Sequence, residues 1–253
     1  MLKKYGLQYQ PDLVFLGFFV GNDFIDADPY RKRIVVNDTY FDIDTRREKT
    51  FLGYPIIGKS RLWYFIKQKL IIWKELNKAH TQQVTQTQKA NTKSRACTFS
   101  EEAFLYIERV RIEICNVRSN QMRIYREKID FILQSLSQMQ ELLARNQTKF
   151  IVGIYPDEFQ VNGQLRSQIF ENFGLEKDLY DIEFMQKLLA KYMEAHQIPY
   201  LDFLDAFRSR GKNEPLYLCR NTHWNQAGNE LAANLIFQYL LPQIDSAIKP
   251  NAK

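Results

Sequence analysis

Apolar and polar positions alternate in character along the chain, long apolar runs giving way to stretches with helical spacing. "PDLVFLGFFVGND" carries an unbroken apolar run, Leu13–Val20, closed by Gly-Asn-Asp. A run of that length without polar interruption predicts a strand buried on both faces of a parallel sheet. "KFIVGIYP" (149–156) is a second such run and "IPYLDFL" (198–204) a weaker third. Between them, Tyr125, Ile129, Ile132, Leu133, Leu136 and Leu143 recur at 3,4 spacing, which predicts an amphipathic helix over 117–146. Ile182, Met185, Leu188, Leu189 and Tyr192 predict another over 179–196, and a last helix follows over 225–241. Strand and helix in alternation predict an α/β domain with parallel strands.

The segment 27–100 interrupts this alternation. "RKRIVVNDTYFDID" predicts a hairpin turning at Asn37-Asp38, and "RLWYFIKQKLIIWKEL" (61–76) a helix. Residues 77–96 are polar, Gln/Thr-rich and without acids, the composition of a linker. The expectation is one domain over 1–253 with a helical and hairpin insertion at about 27–100.

Composition narrows the function classes. Hydrophobic residues make up 45% and aromatic residues 14%, enough for a sizeable core. The net charge of +6 is spread among acids rather than gathered into a basic face, which argues against a nucleic-acid partner. Cys97, Cys115 and Cys219 are odd in number and widely spaced, so neither a disulfide framework nor a CxxC metal pattern is expected. With His80, His196 and His223 as the histidines, no metal site and no cofactor is expected. "MLKKYGLQYQPD" lacks the apolar core of a signal peptide, and no apolar stretch is long enough to span a membrane. Localisation is left open by this.

Three stretches invite a chemical reading. Gly53–Ser60 fits G-x-x-x-x-G-K-[ST], the phosphate-cradling P-loop, and gives a nucleotide-binding alternative. Pro55 lacks an N–H, and Ile56 and Ile57 are β-branched where permissive residues are wanted, so a turn entering a capped helix is the plainer reading. The other two are Gly21-Asn22-Asp23 after the first strand and "RNTHWN" (220–225) before the last helix. Both fall at carboxyl ends of strands, where an open parallel sheet places its site. Alone, Asn22 could be a turn residue and His223 a structural histidine.

Together, "GND" and "NTHWNQAG" resemble blocks of the SGNH (GDSL-type) hydrolases, esterases and acyl-transfer relatives with a flavodoxin-like three-layer αβα fold. "PDLVFLGFFVGNDFID" and "IYPDEFQVN" are similar to the middle of that family, so the resemblance covers residues 5–26 and about 147–241. It implies that Asn22 donates to an oxyanion hole and that His223 is the catalytic base. It also implies a small-molecule or glycan acyl ester as partner.

Two departures set the expectation for activity. No Gly-Asp-Ser and no G-x-S-x-G occurs in the chain, so no nucleophile is assigned; Ser60 and Ser100 have helix-cap contexts. The second-block glycine of the oxyanion hole is likewise missing, as expected of a family member truncated at its N-terminus. In addition, Asn221 stands where the family has the aspartate that orients the histidine. In serine proteases the same exchange lowers turnover roughly ten-thousandfold. Asp23, Asp26 and Asp157 are candidate substitutes, and Arg220 is expected to oppose a protonated His223.

The expectation is a hydrolase or O-acyltransferase relative, catalytically incompetent as this chain, the alternative being a non-catalytic binding or scaffolding remnant. Its sheet would lack the first strand or strands, leaving residues 13–19 as an exposed edge open to self-association.

Overall fold

The computed structural model describes residue 2 and residues 5–36, 39–44, 50–51, 54–55 and 97–248. The chain divides into two compact units, Met1–Asp28 with Ala96–Lys253 and, separately, Pro29–Arg95. The first unit is an α/β fold with a three-stranded parallel sheet flanked by helices.

Strand β1 is Leu13–Phe19, and the outgoing loop carries the single turn α1, Asp23–Asp26. In the second unit, β2 (Arg31–Val36) pairs antiparallel with β3 (Thr39–Asp44), Val36 opposite Thr39, as the expected hairpin requires. The short strands β4 (Thr50–Phe51) and β5 (Tyr54–Pro55) form a second antiparallel pair. Two residues of the P-loop-like stretch are therefore strand. The Asn37-Asp38 turn, residues 56–60, the helix expected at 61–76 and the polar segment 77–96 lie outside the described residues.

The chain then returns to the first unit through α2 (Glu101–Ile112) and α3 (Arg123–Arg145) to β6 (Lys149–Tyr155). Helices α4 (Glu158–Val161), α5 (Gly163–Asn172) and α6 (Phe184–Ala195) precede β7 (Tyr200–Asp202), and α7 (Leu204–Gly211) and α8 (Gln226–Ile248) complete the fold. The sheet order is β1-β6-β7, all parallel, with β6 central and β1 and β7 at the edges.

The strand pattern explains the packing. Phe18, Phe150, Val152 and Ile154 join a core with Ile132, Leu136 and Leu143 of α3 and Met185, Leu189 and Met193 of α6. On the other face, Phe15, Tyr155 and Leu201 pack with Phe203 and Phe207 of the β7–α7 region and with Trp224, Leu231 and Ala232. Each large apolar side chain so buried contributes about 1.5–3 kcal/mol. Gly17 and Gly153 stand opposite one another in register. The Tyr155 ring fills the space above Gly17 and the Phe15 ring that above Gly153, so a side chain at either would displace an aromatic.

Helix limits depart from the expected ones where polar side chains capture the backbone. Asn116 Oδ1 accepts from the N–H groups of Arg118 and Ser119, so α3 begins at Arg123 rather than 117. Asp181 Oδ1 accepts from Glu183 N–H, and α6 begins at Phe184 rather than 179. Helix α8 continues past 241 through Pro242, which removes one hydrogen bond without ending the helix.

Candidate active site

At the carboxyl end of β1 the backbone turns through Gly21-Asn22-Asp23. Asp23 Oδ2 accepts from Phe19 N–H at 2.8 Å, closing the turn, and burial pushes the Asp23 carboxyl upward. Asn22, half-buried, donates its amide to Asp26 Oδ2 at 3.2 Å. Gly21 is buried because Asp157, from the end of neighbouring β6, occupies the place of its missing side chain.

Asp157 is fully buried beside Glu108 and Arg111 of α2; Arg111 Nη1 lies 3.3 Å from Glu108 Oε1 and 3.3 Å from Asp157 Oδ2. The guanidinium also lies over the Phe19 ring, 5.5 Å from its centre. Burial raises both carboxyls, Glu108 further, with the adjacent Asp157 charge opposing its ionisation. Glu108 Oε2 and Asp157 Oδ1 have no donor. A proton held on Glu108 and directed at Asp157 accounts for both, leaving one anion against one cation. This cluster fixes α2 to the ends of β1 and β6.

Contacts made by the 216–229 segment account for the Asn, His, Trp, second Asn and Gly of "NTHWNQAG". Trp224 is the anchor, its ring 4.8 Å from Tyr155 and 4.9 Å from Phe207. Asn225 Oδ1 accepts from Gly228 N–H at 3.0 Å, satisfying one orphan donor of the first turn of α8. Gly228 is required because a β-carbon there would strike the Leu216 carbonyl. Upstream, Leu218 N–H donates to the His223 carbonyl at 2.9 Å. His223 therefore stands at the entry to α8, beside the carboxyl ends of β6 and β7, with its side chain exposed.

Its ring is oriented by Asn221. His223 Nδ1 lies 2.6 Å from Asn221 Oδ1, which also accepts the His223 backbone N–H at 3.0 Å. Asn221 thus takes the position of the orienting partner. Asp23, Asp26 and Asp157 are engaged with Phe19, Asn22 and Arg111 and do not serve it. Arg220 does not confront His223 as an unpaired charge: its guanidinium binds Glu101 at 2.7 Å.

The cysteine expectation is corrected. Cys97 and Cys219 form a disulfide, Cα–Cα 4.8 Å, across a sequence separation of 122, while Cys115 is free and buried. Wide spacing hid the pair because the fold brings the residues before α2 against the loop before His223. Beside the cross-link, Thr98 N–H donates to the Cys219 carbonyl at 3.2 Å and Thr98 Oγ1 accepts from Asn221 Nδ2 at 2.9 Å. Nothing in the spacing of the sequence marks Thr98. Only Cys219 adjoins a recognisable block, so the cross-link is not legible from the sequence.

Asn221 and His223 are thus in direct contact. Asn22 lies past the end of the neighbouring strand β1, with its amide hydrogen bond running to Asp26 rather than to the 220–225 loop. Ser100 caps α2 by accepting from Ala103 N–H at 3.2 Å, as its context suggested. Among the described residues no group of three or more His, Cys, Asp or Glu could hold a metal ion, and no helix is long and apolar enough to cross a membrane. A cavity of about 240 Å³ lined by Lys149, Phe150 and Ile198 lies at the amino end of β6, away from these groups. Comparison with known protein families, curated proteins and solved structures finds no match.

Chemically, the arrangement is an exposed imidazole with one ring nitrogen held by a neutral side-chain amide. With Nδ1–H donated to Asn221, the basic nitrogen is Nε2, and among the described residues no protein group engages it.

Proposed function

We propose that the chain carries the base side of an ester-cleaving or O-acyl-transferring site of the SGNH type, on a flavodoxin-like αβα frame. The observation that supports this most is the 2.6 Å contact between His223 Nδ1 and Asn221 Oδ1 at the entry to α8. It holds the tautomer in which Nε2 can accept a proton from an attacking hydroxyl. Asn22 would turn its amide from Asp26 to the oxyanion of an acyl ester on a small alcohol or glycan. With no Gly-Asp-Ser in the sequence and a neutral partner for the imidazole, residues 1–253 alone are catalytically incompetent in this reading.

A non-catalytic binding role is the second reading, favoured by the engagement of the Asn22 amide with Asp26. The Cys97–Cys219 bond supports residence in an oxidising compartment.

Two measurements test the proposal. Hydrolysis of an activated acetyl ester should proceed no faster with the chain than with its His223→Ala variant; a robust rate lost on that substitution would disprove incompetence. Titration with a phosphonate ester, a mimic of the tetrahedral intermediate, should perturb the NMR signals of the Asn22 amide and the His223 ring together. Perturbation of one without the other would remove the site assignment.

A further inference from the structure

We propose that Thr98 is a positioning residue for His223, acting through Asn221 and held in place by the Cys97–Cys219 cross-link. This role rests on the reading of His223 as a base and falls to a residue that no motif marks.

Donors and acceptors at Asn221 fix the assignment. The His223 backbone N–H can only donate, and it meets Asn221 Oδ1 at 3.0 Å. That contact fixes which end of the Asn221 amide faces His223. The same oxygen then meets Nδ1 at 2.6 Å, so Nδ1 must carry the proton and Nε2 the free lone pair. The other end of the amide, Nδ2, needs an acceptor, and Thr98 Oγ1 supplies one at 2.9 Å. Were the amide to rotate, its NH₂ would face Nδ1, favour a lone pair there and place the proton on Nε2. The base would then be blocked.

The His223 backbone N–H disfavours that rotation, and Thr98 keeps the amide from swinging away from Nδ1, because two tethers fix the Thr98 backbone. Its N–H binds the Cys219 carbonyl at 3.2 Å, and the residue before it is covalently joined to Cys219. Two positions on, Ser100 starts α2, and Glu101 in its first turn binds Arg220 at 2.7 Å. Arg220 has a φ of 47°, the left-handed region that a non-glycine residue adopts at a cost. The disulfide on one side and the Glu101 pair on the other hold that backbone, and with it the approach to Asn221. The hydroxyl, the cross-link and the ion pair form one clamp on the imidazole tautomer.

The experiment is ¹⁵N NMR of the histidine rings in the full chain at alkaline pH. His223 is expected in the Nδ1–H form. Thr98→Val keeps the shape and removes the acceptor, and should lower the Nδ1–H to Nε2–H ratio at His223 about fivefold, the worth of one hydrogen bond. Thr98→Ser should restore it. His196, whose Nδ1 lies 2.8 Å from the Tyr192 carbonyl, is the internal control and should not move. Opening the disulfide by Cys97→Ser should shift His223 in the same direction as Thr98→Val. An unchanged ratio in Thr98→Val overturns the proposal, as does equal movement of His223 and His196, because a positioning role is local. Tautomer shifts as expected, with no response to the phosphonate, would instead remove the ester-site reading and leave the role of Thr98 standing.

Discussion

Gly21 and Asp157 meet at the carboxyl ends of β1 and β6, where a β-carbon on Gly21 would collide with Asp157 Oδ2. The glycine of the "GND" block is therefore tied to the buried Glu108–Arg111–Asp157 cluster. Neither partner can give way, since Asp157 is fully buried and held by Arg111, and the Phe19 ring closes the other side. Gly21→Ala should cost about 2–4 kcal/mol, as overpacking combined with a disturbed ion pair does. Chemical denaturation checks this, with Gly174→Ala as the contrast. Gly174 has open space around it and a positive φ of 59°, so its loss should come from backbone strain alone and be smaller.

Stability should fall as pH rises through the weakly acidic range. Burial raises the Glu158 carboxyl from 4.5 to about 7. Above 4.5 the unfolded chain loses this proton while the folded chain keeps it, so the folded state binds more protons and stability declines with pH. The decline ends near 7, where the folded group also ionises. Its full span is on the order of 3 kcal/mol. Glu158→Gln preserves an acceptor for Asn162 Nδ2, which lies 3.3 Å from Oε1. Melts of both proteins at about pH 5 and about pH 8, either side of that decline, should show the variant gaining at the higher pH. Parallel curves would refute a raised Glu158.

The cross-link gives a chemical count. Without reductant, the unfolded chain should take up one thiol label, on Cys115, and after reduction three. By loop-entropy arguments, a bridge of this length stabilises by roughly 4–5 kcal/mol, less if the reduced chain retains structure. Replacing Cys97 and Cys219 by serine should therefore lower the denaturation midpoint clearly. Labelling of all three cysteines before reduction would contradict the bond.

What is legible in the sequence follows from period and continuity. Leu13–Phe19 and Lys149–Tyr155 are readable because a pair of neighbouring parallel strands is apolar on both faces. Helix α2 is hidden because its buried face includes Glu108 and Arg111, charged residues that a hydrophobic pattern counts as solvent-facing. The same two residues form the buried cluster with Asp157, so helix and cluster are hidden for one reason. At the site, Asn221 and His223 are legible as a pair because they stand two positions apart. The neutralisation of Arg220 by Glu101 and the completion of the network by Thr98 are not. Those contacts span 119 and 123 positions, and no local pattern encodes them.

Strand β1 carries the last prediction. It pairs with β6 on one side, and among the described residues no strand lies on the other. Its seven residues, LVFLGFF, contain no charge and no proline, the devices that blunt an edge strand. Leu13, Val14, Phe15 and Leu16 are only half-buried, and Gly17 is exposed. Such an edge offers a row of backbone donors and acceptors to any strand of matching character, and a second copy of the chain carries one. The chain should therefore self-associate with rising concentration. Leu13→Glu is the informative substitution: residue 13 is the first of the strand and stands directly opposite the exposed Lys149. A carboxylate there gains a cross-strand partner within the chain and sets a charge against a second copy. Sedimentation velocity across a range of concentrations should show the parent chain shifting to larger species. The variant should stay monomeric at an unchanged melting temperature. A parent chain that is monomeric throughout would mean that the outer edge of β1 is already covered, and the self-association proposal would fall.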